Sequence, residues 1–226
     1  MNKYPNCAEC ALSNNERICM NPEGKAPSGC PTVRKRLVEE SKKEYKKADV
    51  AKFAKIASIQ EAECYVNRDK KPYIMHPVKP RIQEVCEFAK RMGYEKLGLI
   101  FCVGLRKEAE ITSKILKAQG FKVVSVVCKA GRIPKEELGL KEEEKIFIGE
   151  FESACNPILQ ALIVNREGTD LNVVLGLCVG HDSLFFKYAK SPSTVLAVKD
   201  RVTGHNPLAA IYACETYYAR VFREGF

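Results

Sequence analysis

The sequence predicts an α/β fold with a Rossmann-like, doubly wound and mostly parallel sheet, preceded by a cysteine-rich metal module and a helical segment. After residue 94, short runs rich in valine, isoleucine and leucine alternate with segments of helical period. This alternation is typical of parallel strands that are covered by helices on both faces. The first 31 residues instead combine four cysteines with many turn-forming residues. We therefore divide the chain into a four-cysteine module over 1–31, a helical connecting segment over 32–93 that packs on the main domain, and a Rossmann-like domain over 94–226.

Four cysteines define the N-terminal module, in the pattern Cys7-x2-Cys10-x8-Cys19-x10-Cys30 followed by proline. The residues between them are mostly turn formers, so the segment buries too little apolar surface to fold alone. Four thiolates that close on one metal would supply the missing free energy. The spacing does not identify which metal the cysteines bind. A last cysteine before proline favours a [4Fe–4S] cluster, and a tetrahedral zinc site is the alternative.

Helices and strands are expected in a regular order after this module. Residues 32–70 are basic with a helical period, and the run 81–92 ends at Gly93, a typical stop signal. The expected strands cover 96–103, 121–127, 173–177 and 195–198, with a further short strand over 146–148. The expected helices between and after them cover 107–119, 157–165, 183–190 and 207–221.

Cysteines recur at the carboxyl ends of these strands. Cys102 and Cys178 each open a Cys-Val-Gly sequence after a strand, Cys128 ends another strand, and Cys155 precedes a helix. Ligands of open α/β sheets bind outside the carboxyl ends of the strands, so these four thiols are expected to hold a cofactor, a second iron–sulfur cluster. The alternative for each one is core packing, because free cysteine often serves as a small buried hydrophobe. Four equivalent positions favour a shared chemical role.

Residues beside the strand ends are candidates for catalysis. A thiol at a helix N-terminus is more acidic than usual, so Cys178 could act as a nucleophile with His181 as its base, and His181 could instead be a further ligand. Asp200 and His205 lie in the loop after the last strand, where they are expected to contact substrate or to orient other site residues. The alternative for this loop is a capped turn before the last helix.

Composition limits the classes of function. Eleven cysteines and only three histidines favour a sulfur-rich site, and an odd number of cysteines argues against complete disulfide pairing. The sequence has neither an apolar run long enough to span a membrane nor a signal peptide, so we expect a cytoplasmic protein without a membrane partner. The net charge is +9, but acidic residues interleave with the basic ones. Since no nucleic-acid recognition motif accompanies the charge, we expect no nucleic-acid partner.

Three motifs carry a resemblance to a known family. They are Cys-Val-Gly-His-Asp-Ser-Leu-Phe from Cys178, Lys-Asp-Arg-Val-Thr-Gly-His-Asn-Pro from Lys199, and the pair Cys7-x2-Cys10. On these motifs the chain resembles DUF1847, an uncharacterised family of cysteine-rich metal-binding proteins found mostly in anaerobic prokaryotes. The resemblance covers nearly the whole chain. It implies metal binding and no established reaction.

These observations lead to three hypotheses of function. The first is an iron–sulfur protein with redox or sulfur chemistry, in which the N-terminal cluster relays electrons to the strand-end site. Such a protein would be an oxidoreductase or a sulfur-handling enzyme, and it would exchange electrons with a partner protein. In the second, a structural zinc ion only stabilises the N-terminal module, and the α/β domain binds or processes a small molecule without redox chemistry. The third is a protein for metal storage or delivery.

Overall fold

The computed structural model describes residues 4–225, which form two compact units divided in the sequence between Glu63 and Cys64. The first unit begins with a turn-rich segment and a 3₁₀ turn over Pro31–Val33. It continues with helices α1 (Lys35–Glu44) and α2 (Ala48–Glu63). The helical stretch predicted over 32–70 is therefore two helices, and it ends at Glu63.

The second unit is a parallel sheet with helices on both faces. Its elements in chain order are α3 (Arg81–Met92), β1 (Lys96–Phe101), α4 (Arg106–Ala118), β2 (Lys122–Val127), α5 (Pro157–Glu167), β3 (Leu171–Leu175), α6 (His181–Tyr188), β4 (Ser193–Ala197) and α7 (Leu208–Tyr212). All strand pairs are parallel, and the strands lie in the order β2-β1-β3-β4. The predicted α/β class with a parallel sheet is confirmed. Within residues 4–225, no helix has the length and apolar character that crossing a membrane requires.

Successive strand side chains enter two different apolar layers, as the pleat of a strand requires. On one face, Leu97 of β1 packs in a layer with Val85 of α3. On the other face, Ile100 of β1 packs in a layer with Ala161 of α5 and Phe185 of α6. Because both faces are covered, the strands read as continuous apolar runs rather than as alternating ones.

The strand order reverses after β2. From β1 the chain passes through α4 to β2 at one edge, and α5 then carries it back past β1 to β3. In the register of the sheet, Phe101 of β1 pairs with Val127 of β2 and with Leu175 of β3. The residues that follow these three strands therefore emerge side by side at one edge of the sheet. A reversal of this kind opens a crevice at the carboxyl ends of the strands.

Two elements of the second unit differ from the prediction. Residues 146–148 form an exposed turn instead of a strand, because ion pairs order this loop: the Lys145 ammonium lies 2.7 Å from a carboxylate oxygen of Glu136 and 2.8 Å from one of Glu142. The last helix, predicted over 207–221, consists of the short α7 and a 3₁₀ turn over Ala219–Phe222. The residues between them include threonine and two tyrosines, which are weaker helix formers than alanine or leucine.

Candidate functional site

Four cysteines of the first unit line a single cavity. The thiol-bearing residues Cys7, Cys10, Cys19 and Cys30 all border a space of about 370 Å³. All four are free, and each is exposed or half-buried. The four metal ligands predicted from the sequence thus surround one space, although Cys30 lies far from Cys7 along the chain.

Arg17 organises the wall of this cavity. Its guanidinium donates to the backbone oxygen of Leu12 across 2.6 Å and to that of Cys10 across 3.1 Å. Its backbone also forms a β-bridge with Lys25. The approach is close, since a Cβ atom on Gly24 would lie 2.4 Å from the Arg17 carbonyl carbon. Only glycine fits at position 24, and the turn that it allows brings the two sides of the segment together.

The donor set of this cavity fits a thiolate-bound metal centre. Among residues 4–225, no three His, Cys, Asp or Glu side chains are already grouped so that they could hold a metal ion. Zinc with four thiolates at about 2.3 Å is a single ion, whereas a [4Fe–4S] cluster is a bulkier group that holds its four thiolates further apart. The four thiols border this space together with other residues of the segment, and they are the donors that either group would use.

Three thiols of the second unit converge beside the point where the strand order reverses. Cys102 follows β1, Cys128 follows β2 and Cys155 precedes α5, and all three contribute to the apolar layer on the α5 and α6 face. The Cys128 thiol is the central one, since the thiols of both Cys102 and Cys155 lie within hydrogen-bonding reach of it. Cys128 is 1% exposed and Cys102 is 7% exposed, whereas Cys155 is half-buried. Cys155 is thus the member of this three-thiol group that a solute reaches most easily.

Asn156 fixes Cys155 beside the central thiol. Its backbone N–H donates to the backbone oxygen of Cys128 across 2.7 Å. Its side-chain oxygen caps α5 by accepting the N–H of Leu159 across 2.9 Å, and Pro157 occupies the first helical position. Both features are typical of a helix start. The start of α5 is therefore tied directly to the end of β2.

The surroundings of Cys102 favour its thiolate form. The pKa of Cys102 is lowered to about 5. The largest cause is a hydrogen bond from the Cys128 thiol, followed by one from the backbone N–H of Gly104 and by the ammonium of Lys199. A Cβ atom at Gly104 would lie 3.4 Å from Lys199 Nζ and 4.0 Å from Cys102 Sγ. The missing side chain therefore leaves space in which Lys199 reaches the thiolate.

Cys155 has a similar but more open environment. The hydrogen bond with Cys128, followed by the charges of Lys129 and His181, lowers the pKa of Cys155 to about 6. The opposite holds for the central residue: the hydrogen bonds with Cys102 and Cys155, together with burial, raise the pKa of Cys128. These shifts favour the thiolate at Cys102 and Cys155 and the protonated thiol at Cys128, which has one proton to donate to either neighbour.

Cys178, the fourth thiol predicted for this site, has a different partner. It follows β3, as the sequence predicts, and it is half-buried. Its sulfur accepts a hydrogen bond from Nη2 of Arg201 across 3.2 Å. The structure thus brings three of the four predicted thiols together and pairs the fourth with an arginine.

The remaining candidate residues fall into two groups. His181 begins α6 and lies near Cys155, and its Nδ1 atom is buried without a hydrogen-bond partner among residues 4–225. Asp200 and His205 instead bind each other: the N–H of Asp200 donates to His205 Nδ1 across 3.1 Å, and the N–H of His205 donates to the Asp200 backbone oxygen across 2.9 Å. Hydrogen bonds from backbone N–H groups lower the pKa of Asp200, and the one from Thr203 has the largest effect. This pair has the contacts of a closed turn, which was the structural alternative for the loop.

Two lysines at the site have no counterpart among the residues predicted from the sequence. Lys129 acts on the thiol of Cys155 and Lys199 acts on that of Cys102. Each lysine follows shortly after an apolar strand, so its position at the ligand-binding edge of a parallel sheet was available as a signal.

The comparisons with known proteins found a matching family and a relative. A profile of DUF1847, described as a protein of unknown function, matches residues 30–196. An uncharacterised protein of Methanocaldococcus jannaschii is 41% identical over 219 residues, which are 97% of this chain and 98% of that protein. No solved structure gives a significant match.

Proposed function

The chain belongs to the DUF1847 family, and because the function of that family is unknown, we propose a function from the site itself. We propose that the protein is an iron–sulfur protein that carries out redox or sulfur chemistry at its strand-end thiols. The observation that carries this proposal is the single cavity lined by Cys7, Cys10, Cys19 and Cys30. Four free thiols around one space in a turn-rich segment are the donors that a [4Fe–4S] cluster requires.

The N-terminal residues would hold the cluster and balance its charge. Arg17 and Lys25 line the same cavity as the four thiols, and such cations offset the negative charge of four thiolates. When bound, a [4Fe–4S] cluster supplies one-electron transfer. We propose that the electrons come from a partner protein and serve the chemistry of the second unit.

The thiol group of the second unit is proposed as the place of that chemistry. A second cluster, held by Cys102, Cys128, Cys155 and Cys178, is the extended form of this proposal. It would require two changes, because the thiolates of a cluster are held apart by its iron and sulfide, whereas Cys128 contacts two thiols directly and Cys178 contacts an arginine. Direct thiol chemistry requires neither change, so we favour it.

For the second unit we propose a small domain of the Rossmann-like, doubly wound type. Helices on both faces of the sheet and the reversal of strand order after β2 support this assignment. In folds of this type the ligand lies at the reversal point. Cys102 and Cys128 follow the two strands on one side of that point.

The iron content of the anaerobically purified protein, measured with sulfide content and a visible spectrum, tests the proposal. We expect about four iron and about four sulfide atoms per chain, as one [4Fe–4S] cluster requires. About eight of each would favour the extended form with a second cluster. A colourless protein with about one zinc per chain would overturn the proposal and favour the alternative of a structural zinc site.

A pair of variants identifies the ligands. Cys7→Ser should lose the iron, because a cluster is held by all four cysteines. The matched control is Cys214→Ser, since Cys214 is a half-buried free cysteine near the C-terminus, and this variant should retain the iron. Retention of iron by Cys7→Ser would reject the N-terminal site. Metal that a mild chelator removes and that exchanges freely would favour storage or delivery.

A further inference from the structure

Basic groups surround the accessible thiol at the edge of the sheet. Lys129 and His181 both act on the sulfur of Cys155, and the Lys129 ammonium is anchored there because it donates to the backbone oxygen of Ser153. The buried Nδ1 atom of His181 has no hydrogen-bond partner among residues 4–225. Buried polar atoms are normally paired, so the unpaired state of this atom is unusual for a side chain beside the three-thiol group. Lys199 adds a third basic group to the three-thiol group.

We propose that this site accepts sulfane sulfur from a small anionic donor of the thiosulfate class, with Cys155 as the nucleophile and Cys128 as the resolving thiol. Cys155 is the reachable thiol, and Cys128 lies buried beside it in the same apolar layer, where the N–H of Asn156 ties the start of α5 to the Cys128 backbone oxygen across 2.7 Å. The inference deepens the proposed function, and it rests on that function only for the electrons that close the cycle.

The first step transfers one sulfur atom. The Cys155 thiolate attacks the terminal sulfur of the donor, so that a sulfur–sulfur bond forms on Cys155 while the sulfur–sulfur bond of the donor breaks. With thiosulfate, sulfite leaves with the bonding electron pair. This step consumes no external electrons and leaves a persulfide on Cys155.

The second step releases the sulfur. The Cys102 thiolate beside Cys128 takes the proton of Cys128, and the Cys128 thiolate attacks the Sγ atom of Cys155. A disulfide forms between Cys128 and Cys155, and the outer sulfur leaves with its electron pair and that proton as hydrosulfide. Two electrons and one proton then restore the Cys155 thiolate and the Cys128 thiol. A low-potential iron–sulfur electron donor would supply them in the cell, and a dithiol reductant can supply them in the assay.

The charges at the site favour an anionic donor over a neutral one. Lys129 and the imidazole of His181 would contact the oxyanion end of thiosulfate. A polysulfide would present the same chemistry, namely an anion with a sulfane sulfur. Only thiosulfate would release sulfite, so the two sources can be told apart.

The test follows a single turnover of the reduced full-length protein, freed of reductant and mixed anaerobically with thiosulfate. We expect a burst of one sulfite per chain, and mass mapping should find either one added sulfur on Cys155 or a disulfide between Cys155 and Cys128 with hydrosulfide released. With polysulfide the same products should form without sulfite. An unmodified Cys155 after both treatments, or added sulfur on Cys102 or Cys178 instead, would overturn the proposal.

Variants separate the two steps. Cys155→Ser should reduce the sulfite burst by more than about 100-fold, because the nucleophile is gone, whereas Cys214→Ser should leave it unchanged. Cys128→Ser should release sulfite but retain the persulfide on Cys155 without hydrosulfide. A full burst from Cys155→Ser would reject the assignment. If Cys155→Ser does not fold, the mass mapping of the unaltered chain decides.

The inference and the proposed function fail in different ways. Cys7→Ser, which should lose the N-terminal iron, should retain the sulfite burst because the first step uses no electrons. A chain without iron that still gives the burst would reject the cluster and retain this inference. A chain with iron but without the burst would reject this inference and retain the cluster.

Discussion

The backbone N–H of Val103 donates to the sulfur of Cys128 across 3.3 Å. Val103 opens the 3₁₀ turn that leads into α4, and an N–H at such a start has no partner within its own helix. Because Cys128 is the first residue after β2, its thiol extends the contact between β1 and β2 beyond the last paired residues, Phe101 and Val127. Cys128 is thus a structural acceptor and the hydrogen-bonding centre of the three-thiol group.

Cys128→Ala should therefore weaken both roles. The pKa values of Cys102 and Cys155 should rise toward the ordinary thiol range, since the hydrogen bond with Cys128 is the largest cause of their lowering. The free energy of unfolding should fall by about 1–2 kcal/mol, because the half-buried N–H of Val103 loses its acceptor. The pH dependence of alkylation by iodoacetamide, read residue by residue, and denaturant unfolding measure the two effects.

The control for this variant is Cys86→Ala. Cys86 lies buried on α3, in the layer on the opposite face of the sheet. Its removal should lower stability without shifting the alkylation midpoints. Unchanged midpoints in Cys128→Ala would contradict the role of the central thiol.

The unaltered chain should show an acidic alkylation profile at Cys155. Only the thiolate reacts, and its fraction rises with pH through the pKa. With a pKa of about 6, the alkylation rate of Cys155 should reach half of its maximum near that pH and level off about one to two units higher. A midpoint near about 8.5, the value of an unperturbed thiol, would contradict the structure. Lys129→Gln should move the midpoint upward, because one stabilising positive charge is lost.

The strand-end positions of Cys102 and Cys128 could be predicted from the sequence. Both follow continuous apolar runs that are long enough for one buried strand each, and the carboxyl ends of neighbouring parallel strands lie at the same edge. Local pattern and the rules of connection are sufficient for these two residues. Gly93 marked the end of α3 in the same way, and it is in the left-handed conformation that a C-cap glycine adopts.

The contact of Cys155 with Cys128 could not be predicted in this way. Cys155 lies at the end of a long loop, and the loop is held by ion pairs such as that of Lys135 with Glu152 at 2.8 Å. In the sequence these charges are indistinguishable from a solvated surface. Their pairing depends on three-dimensional closure, as does the choice of Arg201 as the partner of Cys178.

Gly176→Ala should disrupt the end of β3. Gly176 has a φ of +67°, and a Cβ atom there would lie 1.9 Å from Cδ1 of the buried Leu105. Backbone strain of about 1–2 kcal/mol and overpacking of about 1–3 kcal/mol should together lower the free energy of unfolding by about 2–5 kcal/mol. Gly168→Ala is the matched control, because Gly168 also has a positive φ of +63° but no atom within 4 Å of an added Cβ. It should lose only the strain, so equal losses in the two variants would contradict the predicted clash.

Removal of the metal should loosen the N-terminal module and leave the sheet intact. If the four thiolates hold a cluster, its loss removes the main source of folding free energy for a turn-rich segment. After iron chelation, trypsin should cut faster at Arg17 and Lys25, whereas the hydrogen-exchange protection of β1 and β3 should remain unchanged. Equal cleavage before and after chelation would show that the module folds without metal.

Glu152→Gln tests whether the loop before α5 positions Cys155. Glu152 is 5% exposed. Its carboxylate pairs with Lys135 and accepts the N–H of Ile146 across 2.8 Å, and Lys135 also lowers the pKa of Glu152.

The glutamine amide has a similar shape but no charge, so the ion pair is lost in this variant and the loop should open more often. Hydrogen exchange over 133–154 should accelerate by about tenfold. The alkylation midpoint of Cys155 should rise, because its contact with Cys128 is populated less, while that of Cys102 stays in place. Glu143→Gln, a change at an exposed position of the same loop, should alter neither quantity. An unchanged Cys155 midpoint in Glu152→Gln would mean that Asn156 and the start of α5 hold this thiol without the loop.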